Sequence, residues 1–130
     1  MKVIILLVLF ALSICGNRET VVNCAKELLG TPYERLDCTG LCRKCYKRIG
    51  IEISTVAHYI FAHGKSVSKS ELKPGDIVGF NNHDGKPQPG HVGIYIGNDQ
   101  YIHSPGKGKT VTYGTLSTNR NYYGAKNYID

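Results

Sequence analysis

The sequence predicts an α+β domain, with helices in the first half of the chain and an antiparallel sheet in the second. Up to Gly64, apolar residues recur at three- and four-residue spacing, which is typical of amphipathic helices. After Pro74-Gly75, short apolar runs separated by turn residues indicate strands. The 130 residues leave room for one domain with one core. No internal repeat, low-complexity segment or long linker divides them.

Residues 1–15 are predicted to be a signal peptide, followed by the domain at residues 16–130. Met1-Lys2 precedes the apolar run Val3–Ile14, and small or polar residues follow it. A permanent membrane span needs about 20 apolar residues, so this run is too short and we expect a secreted protein. A lipid anchor at Cys15 is the less favoured alternative, because Ile14 stands where a small residue is normally required.

Three helices are predicted before the sheet. The first runs from Asn17 or Arg18 to Leu29, with Asn17 as its cap and Gly30 after its end. The second begins at Cys38 and stops at Gly50, and a third, shorter helix spans Ser54–His63. The buried stripes of the first two helices comprise Val21, Cys24, Ala25 and Leu28, and then Leu41, Cys42, Cys45, Tyr46 and Ile49.

Five strands are predicted in the second half of the chain. They are Asp76–Phe80, His91–Ile96, Gln100–His103, Lys109–Tyr113 and Ala125–Ile129. The second and third of these form a hairpin around Gly97-Asn98-Asp99. Helices followed by an antiparallel sheet make an α+β architecture.

Cys38 is the candidate nucleophile, because it opens a helix instead of lying inside one. At the first turn of a helix, a thiol faces unpaired backbone N–H groups and the positive end of the helix dipole. Both favour the thiolate, which is the form that attacks carbonyl groups. The same N–H groups can hold an oxyanion. We therefore expect a reactive thiolate at this position.

Two histidines are candidate partners of this thiol. His91 heads one strand of the predicted hairpin, and His103 ends the other. If the loop has an odd number of residues, His103 pairs with Gly93 and lies diagonally beside His91 on one face, about 7–8 Å away between Cα atoms. His91 is then the general base and His103 the residue that orients it. Gly90, next to His91, leaves room for substrate to approach the backbone.

Four cysteines follow the signal peptide, namely Cys24, Cys38, Cys42 and Cys45. A bridge from Cys24 to Cys42 or Cys45 would join two helices, but the favoured interpretation treats Cys42 and Cys45 as small buried hydrophobic residues. Cys38, Cys42 and Cys45 are spread along about 10 Å of one helix face, so they do not converge as zinc ligands do. We expect no metal and no other cofactor.

The formal net charge is +6, from 16 Lys and Arg against 10 Asp and Glu. Such a charge draws a secreted protein toward anionic surfaces. No run of Lys or Arg exceeds two residues, and the most basic stretch, Cys42–Arg48, is half of a helix face. It is interpreted as a solvated surface, and nucleic acid is not an expected partner.

Several segments resemble, in order and spacing, the NlpC family of papain-like cysteine peptidases, which hydrolyse bacterial peptidoglycan. They are Leu29–Tyr33, Asp37–Leu41, Gly50-Ile51, Leu72–Val78, Gly90–Gly97 and Tyr101–Ser104. Together they cover essentially all of the chain after the signal peptide. The resemblance implies an NlpC-type domain whose nucleophile helix packs on an antiparallel sheet. It also implies hydrolysis of the stem-peptide amide between γ-linked D-glutamate and a diamino acid.

The same resemblance implies site residues by position. The triad would be Cys38, His91 and His103. Tyr33 matches the tyrosine that lines the family's site and helps to hold the oxyanion. Asp37 matches the acidic residue that meets a free substrate amine in some members. Thr39 replaces the usual serine after the nucleophile and keeps its hydroxyl, and with Gly90 it is assigned to substrate binding.

Two other functions remain open from the sequence. A related cysteine fold acts as an amidase between the muramoyl lactyl group and L-alanine, and nothing in the residues excludes that cut. A former hydrolase could also hold wall fragments without cleaving them, although the intact Cys38, His91 and His103 argue against it. We expect a monomer that acts on the peptidoglycan stem peptide.

Overall fold

The computed structural model describes residues 16–82 and 86–130. Its helices are α1 (Asn17–Glu27), α2 (Cys38–Lys47) and α3 (Ala57–Ile60), with one 3-10 turn at Lys69–Glu71. Its strands are β1 (Lys65–Val67), β2 (Ile77–Phe80), β3 (His91–Gly97), β4 (Gln100–His103), β5 (Thr112–Thr115) and β6 (Tyr122–Asn127). The predicted signal peptide and lipid anchor lie outside the described residues. Within those residues, no helix is long and apolar enough to cross a membrane.

The six strands form one antiparallel sheet in the order β1-β6-β2-β3-β4-β5. Helices α1 and α2 pack against each other and on the central strand β3. The core between helices and sheet includes Val21, Leu41, Tyr46, Ile77, Val92, Ile94 and Ile102. A second cluster contains Val78, Phe80, Tyr101, Leu116 and Ala125. The α+β prediction is confirmed.

Several predicted boundaries are wrong in detail. The residue that caps α1 is Gly16, in a left-handed conformation, and Asn17 is already helical. Helix α3 covers only the middle of the predicted segment. Strand β1 is absent from the sequence prediction, because Lys65-Ser66-Val67 shows no apolar alternation and lies at the sheet edge, where one partner strand suffices.

A disulfide joins Cys24 of α1 to Cys45 of α2, with the two Cα atoms 5.4 Å apart. The favoured interpretation of Cys45 as a free buried hydrophobic residue is therefore wrong, and the bridge alternative is correct. Cys42 is a buried free thiol, so the interpretation as a small buried hydrophobic residue is correct for this position. The bridge fixes the helix that begins at Cys38 to its neighbour by a covalent bond.

The β3–β4 hairpin reaches the predicted register by a different route. Its turn consists of two residues, Asn98 and Asp99, both with positive φ, as in the tight turns that match strand twist. A two-residue loop alone would place the two histidines on opposite faces. A bulge between Tyr95 and Gly97 adds one residue to β3 and restores the pairing of Ile94 with Ile102.

Candidate active site

Cys38 is the first residue of α2, and Asp37 before it caps the helix. A side-chain oxygen of Asp37 accepts a hydrogen bond of 2.8 Å from the Gly40 N–H. The backbone N–H groups of Cys38 and Thr39 act on the sulfur, and so does that of Val92 in β3. Strand β3 pairs with β4 from Ile94 onward, so Val92 lies outside the part of β3 that is paired with β4. The thiol thus sits where the start of α2 meets the start of β3.

Burial governs the protonation of this thiol. Desolvation raises the pKa of Cys38, and the nearby charge of Asp37 raises it further. The three backbone N–H groups oppose this shift but do not overcome it. The sequence predicted a thiolate from the helix terminus alone. In the free protein the structure instead favours the neutral thiol, because the loss of solvent outweighs the helix-end hydrogen bonds.

The two histidines meet as the register predicted. His91 Nε2 and His103 Nδ1 are 2.7 Å apart, so one nitrogen donates a hydrogen bond to the other. Gly93 permits this approach, since a Cβ there would stand 3.1 Å from the Cβ of His103 and 2.9 Å from a backbone oxygen of β4. Rings of Phe80 and Tyr101 pack beside the pair.

Both imidazoles are neutral near neutral pH. Burial lowers the pKa of His91 to about 4, and the neighbouring His103 adds to the effect. Burial also lowers the pKa of His103 to about 4, with the charge of Lys109 contributing. A neutral pair shares one hydrogen bond. If His91 donates through Nε2, its Nδ1 is left with a lone pair that can accept a proton.

Tyr33 and Asp37 flank the thiol. Tyr33 is half-buried, and its backbone N–H donates to the Lys109 carbonyl at 3.0 Å. Burial raises the pKa of the Tyr33 hydroxyl, and the charges of Cys38 and Asp37 raise it further, which places this hydroxyl near both. The side chain of Asp37 is exposed apart from its capping bond.

Thr39 and Gly90 have structural partners of their own. The Thr39 side chain is buried, and its hydroxyl donates to the Thr55 carbonyl at 3.1 Å, which ties α2 to the segment before α3. A Cβ at Gly90 would overlap the end of the exposed Asn82 side chain, which would have to move to admit it. Their assignment to substrate binding stays a prediction.

Sequence reasoning missed the residue that joins the two halves of the site. Ser104 follows His103, is fully buried, and donates a 2.6 Å hydrogen bond to the carbonyl of Leu36, just before the nucleophile turn. Two backbone bonds of 2.9 Å between Val111 and residues 30–31 continue this connection. The sequence signals were a polar residue at the end of a strand and its place in the segment Tyr101–Ser104 that resembles the family.

Among residues 16–82 and 86–130, no group of three or more His, Cys, Asp or Glu side chains is arranged to hold a metal ion. The arrangement suits proton transfer from a thiol to an imidazole, followed by attack of sulfur on a carbonyl.

A model of the NlpC/P60 family matches residues 27–129, which include every residue of this site. The chain belongs to the NlpC/P60 family. A γ-D-glutamyl-L-lysine dipeptidyl-peptidase of Bacillus cereus is 32% identical over 121 residues, covering 85% of this chain and 36% of the relative. The murein DD-endopeptidase MepH of Escherichia coli is also 32% identical, over 122 residues, covering 83% of this chain and 45% of the relative.

Solved structures agree with this NlpC/P60 assignment. The crystal structure of an NlpC/P60 family protein from Bacillus cereus superposes with a TM-score of 0.80 at 31% identity, covering 88% of this chain and 41% of that one. The chain thus spans 36% to 45% of the length of these relatives. The likeness concerns their NlpC/P60 domain.

Proposed function

We propose that this NlpC/P60 domain is a secreted cysteine endopeptidase that hydrolyses the stem peptides of peptidoglycan. The observation that carries the proposal is the hydrogen-bonded His91–His103 pair, with nitrogens 2.7 Å apart, at the start of β3, the strand on which the helix that begins at Cys38 packs. A binding module would have no need to bury a pair of neutral imidazoles. Burial of that kind costs free energy, and catalytic sites are where it recurs.

In this proposal His91 acts as a base during attack, not before it. The substrate carbonyl carbon gains a bond to the Cys38 sulfur while the thiol proton moves to His91. His91, now positive, donates through Nε2 to His103, which holds the ring and shares the charge. The proton then passes to the leaving nitrogen, the C–N bond breaks, and a thioester remains. Water activated by His91 hydrolyses the thioester.

The developing oxyanion has two candidate donors. The backbone N–H of Cys38 lies at the helix N-terminus, where no intrahelical partner exists. The Tyr33 hydroxyl lies near the sulfur and, with a raised pKa, stays protonated and able to donate. The exposed carboxylate of Asp37 is placed to meet a positively charged substrate amine. These roles support hydrolysis of a peptide with a short, free N-terminal end.

The favoured bond is the amide between γ-linked D-glutamate and the diamino acid. The name of the Bacillus cereus relative specifies a γ-D-glutamyl-L-lysine bond. A second candidate is the D,D cross-link between stem peptides, because the Escherichia coli relative is named a DD-endopeptidase. The two bonds differ in the charge of the D-residue that donates the carbonyl and in the chirality of the centre that donates the amine.

Mass spectrometry of purified muropeptides distinguishes the two cuts. Uncross-linked and cross-linked muropeptides are incubated separately with the protein and with a Cys38→Ala variant. We expect uncross-linked peptides to yield fragments that end in D-glutamate, with no fragments from the variant. Cleavage of cross-linked substrate alone would identify the D,D bond. Cleavage before L-alanine would identify the amidase, and intact substrates in all reactions would overturn the proposed hydrolysis.

A further inference from the structure

A wide groove runs beside the candidate active site, with a volume of about 830 Å³. Its lining includes Tyr33 and Asp37, residues of α2 and residues 51–53. Five of its lining residues carry positive charge, namely Arg35, Arg43, Lys44, Lys47 and Lys107. The groove therefore presents a basic surface that includes Asp37, the residue before Cys38.

The cations of this groove have no ion-pair partner among the described residues. Two arginines elsewhere are paired: Arg18 contacts Asp76 at 2.9 Å and Asp130 at 2.8 Å, and Arg48 contacts Glu27 at 2.8 Å. Among the described residues, the five groove cations have no such close carboxylate contact.

The acidic residues of the groove cancel only part of its positive charge. Glu34 is held by a 2.9 Å hydrogen bond from the Gly108 N–H, and Asp37 is held by the Gly40 N–H at 2.8 Å. Glu52 is the third acid among the lining residues. Five positive side chains against three acids leave the groove net positive. Unpaired like charges at one surface repel each other, and an anionic ligand would relieve that repulsion.

From the sequence, the basic stretch of α2 looked like an ordinary solvated surface. The structure places it along a concavity that opens at the nucleophile turn. We propose that this groove binds an anionic segment of the wall polymer and holds it beside Cys38; the wall as ligand rests on the proposed function. The matching chemistry is a chain with repeated carboxylate or phosphodiester groups, which arginine can contact through two parallel N–H donors.

A charge-matched pair of double variants tests the groove. Both are made in the Cys38→Ala background, so that binding is measured without cleavage. Arg35→Glu with Arg43→Glu reverses two groove charges, whereas Lys65→Glu with Arg120→Glu reverses two exposed charges outside it. The overall change in net charge is the same. Thermal unfolding of both proteins checks that each remains folded.

Affinity is measured first for short-chain inorganic polyphosphate and then for purified bacterial sacculi, by titration and by co-sedimentation. We expect the groove variant to bind both at least tenfold more weakly than the control variant, and to show a shallower dependence on salt. Sacculi extracted with hydrogen fluoride lose phosphodiester polymers. Retained groove-dependent binding after extraction identifies carboxylates as the anion, and lost binding identifies phosphodiesters.

Equal binding by the two double variants, to polyphosphate and to sacculi, would overturn the inference and leave only a general effect of net charge. The outcome is separable from the proposed function. Groove-dependent polyphosphate binding by a protein that cleaves no muropeptide would refute the hydrolase proposal and keep the anion site. Cleavage of muropeptides by the unmodified protein, with no difference in binding between the two double variants, would support the hydrolase proposal and refute the anion site.

Discussion

At the scale of single residues, the protonation states of Cys38, His91 and His103 are set by burial. The thiol pKa is raised and both histidine pKa values are lowered to about 4, so all three groups are neutral near pH 7. A neutral thiol next to a neutral base is less nucleophilic than a preformed ion pair. We therefore expect Cys38 of the free protein to react slowly with electrophiles near neutral pH.

Alkylation of Cys38 tests this protonation directly. We expect the rate with iodoacetamide to be slow at pH 7 and to keep rising above pH 9, because burial raises the pKa of the thiol. The rate is measured by intact-protein mass spectrometry, with Cys38→Ala to identify the modified site. A rate that is already constant between pH 6 and 8 would show a thiolate, and would contradict the neutral pair.

The two histidines should contribute unequally to catalysis. We expect His91→Ala to lower kcat by about 10²–10⁴-fold, since it removes the general base. His103→Ala should cost less, because His91 remains and loses only the 2.7 Å hydrogen bond that orients it. His103→Asn, which can still accept that bond, should recover part of the loss. Equal losses from His91→Ala and His103→Ala would contradict these roles.

Stability should fall in mild acid. The folded histidines have pKa values of about 4, below the usual 6.5, so the unfolded chain binds more protons between these values. Their contribution to the free energy of unfolding is therefore present above pH 6.5 and is lost as pH falls toward 4. Urea unfolding at several pH values measures it. His103→Gln should flatten the slope in this range, and an unchanged slope would count against the burial effect.

At the scale of elements, the disulfide between α1 and α2 holds the nucleophile helix in place. A bridge between cysteines 21 positions apart should stabilise the fold by roughly 3 kcal/mol through the unfolded chain. We expect Cys24→Ser with Cys45→Ser to lower the unfolding free energy by about that amount. Thiol titration of denatured, unreduced protein should find both cysteines blocked, and Cys24 or Cys45 reacting as a free thiol would contradict the bridge.

The β3–β4 hairpin shows what sequence pattern could and could not predict. Alternation along the strands correctly placed His91 and His103 on one face. The loop was assigned three residues, because a bulge at Ile96 leaves no mark in the alternation of apolar residues. The predicted register was still right, because the extra residue in the bulge compensates for the shorter turn. Strand β1 was not predicted for a related reason. It pairs at the sheet edge through backbone hydrogen bonds, which the pattern of side chains does not reveal.

At the scale of the whole molecule, contacts between distant segments assemble the site, and these were not predictable from sequence. Helix caps and local periodicity identified Cys38, but its position against β3 depends on how α2 packs. Likewise, burial of the thiol and of the histidines, which reverses the thiolate expectation, arises from elements that are far apart in the chain. The roles assigned to Tyr33 and Asp37 came from the family resemblance.

The Ser104–Leu36 hydrogen bond is one of these distant contacts, joining residues 68 positions apart. Ser104→Ala leaves the Leu36 carbonyl buried without this donor, which should cost about 1–3 kcal/mol in stability. Because the bond aligns the His103 strand with the nucleophile turn, we expect kcat to fall while KM changes little. Ser104→Thr retains the hydroxyl and should restore part of kcat. A change in stability with kcat intact would limit Ser104 to a structural role.

The central claim is that the sulfur of Cys38 performs the hydrolysis. The most direct measurement compares release of stem-peptide fragments by Cys38→Ala and by Cys42→Ala, which removes the buried free thiol one turn along the same helix face. We expect no release above background from Cys38→Ala and substantial release from Cys42→Ala, when both are folded. Fragment release by a folded Cys38→Ala protein at the rate of the unmodified one would contradict the account.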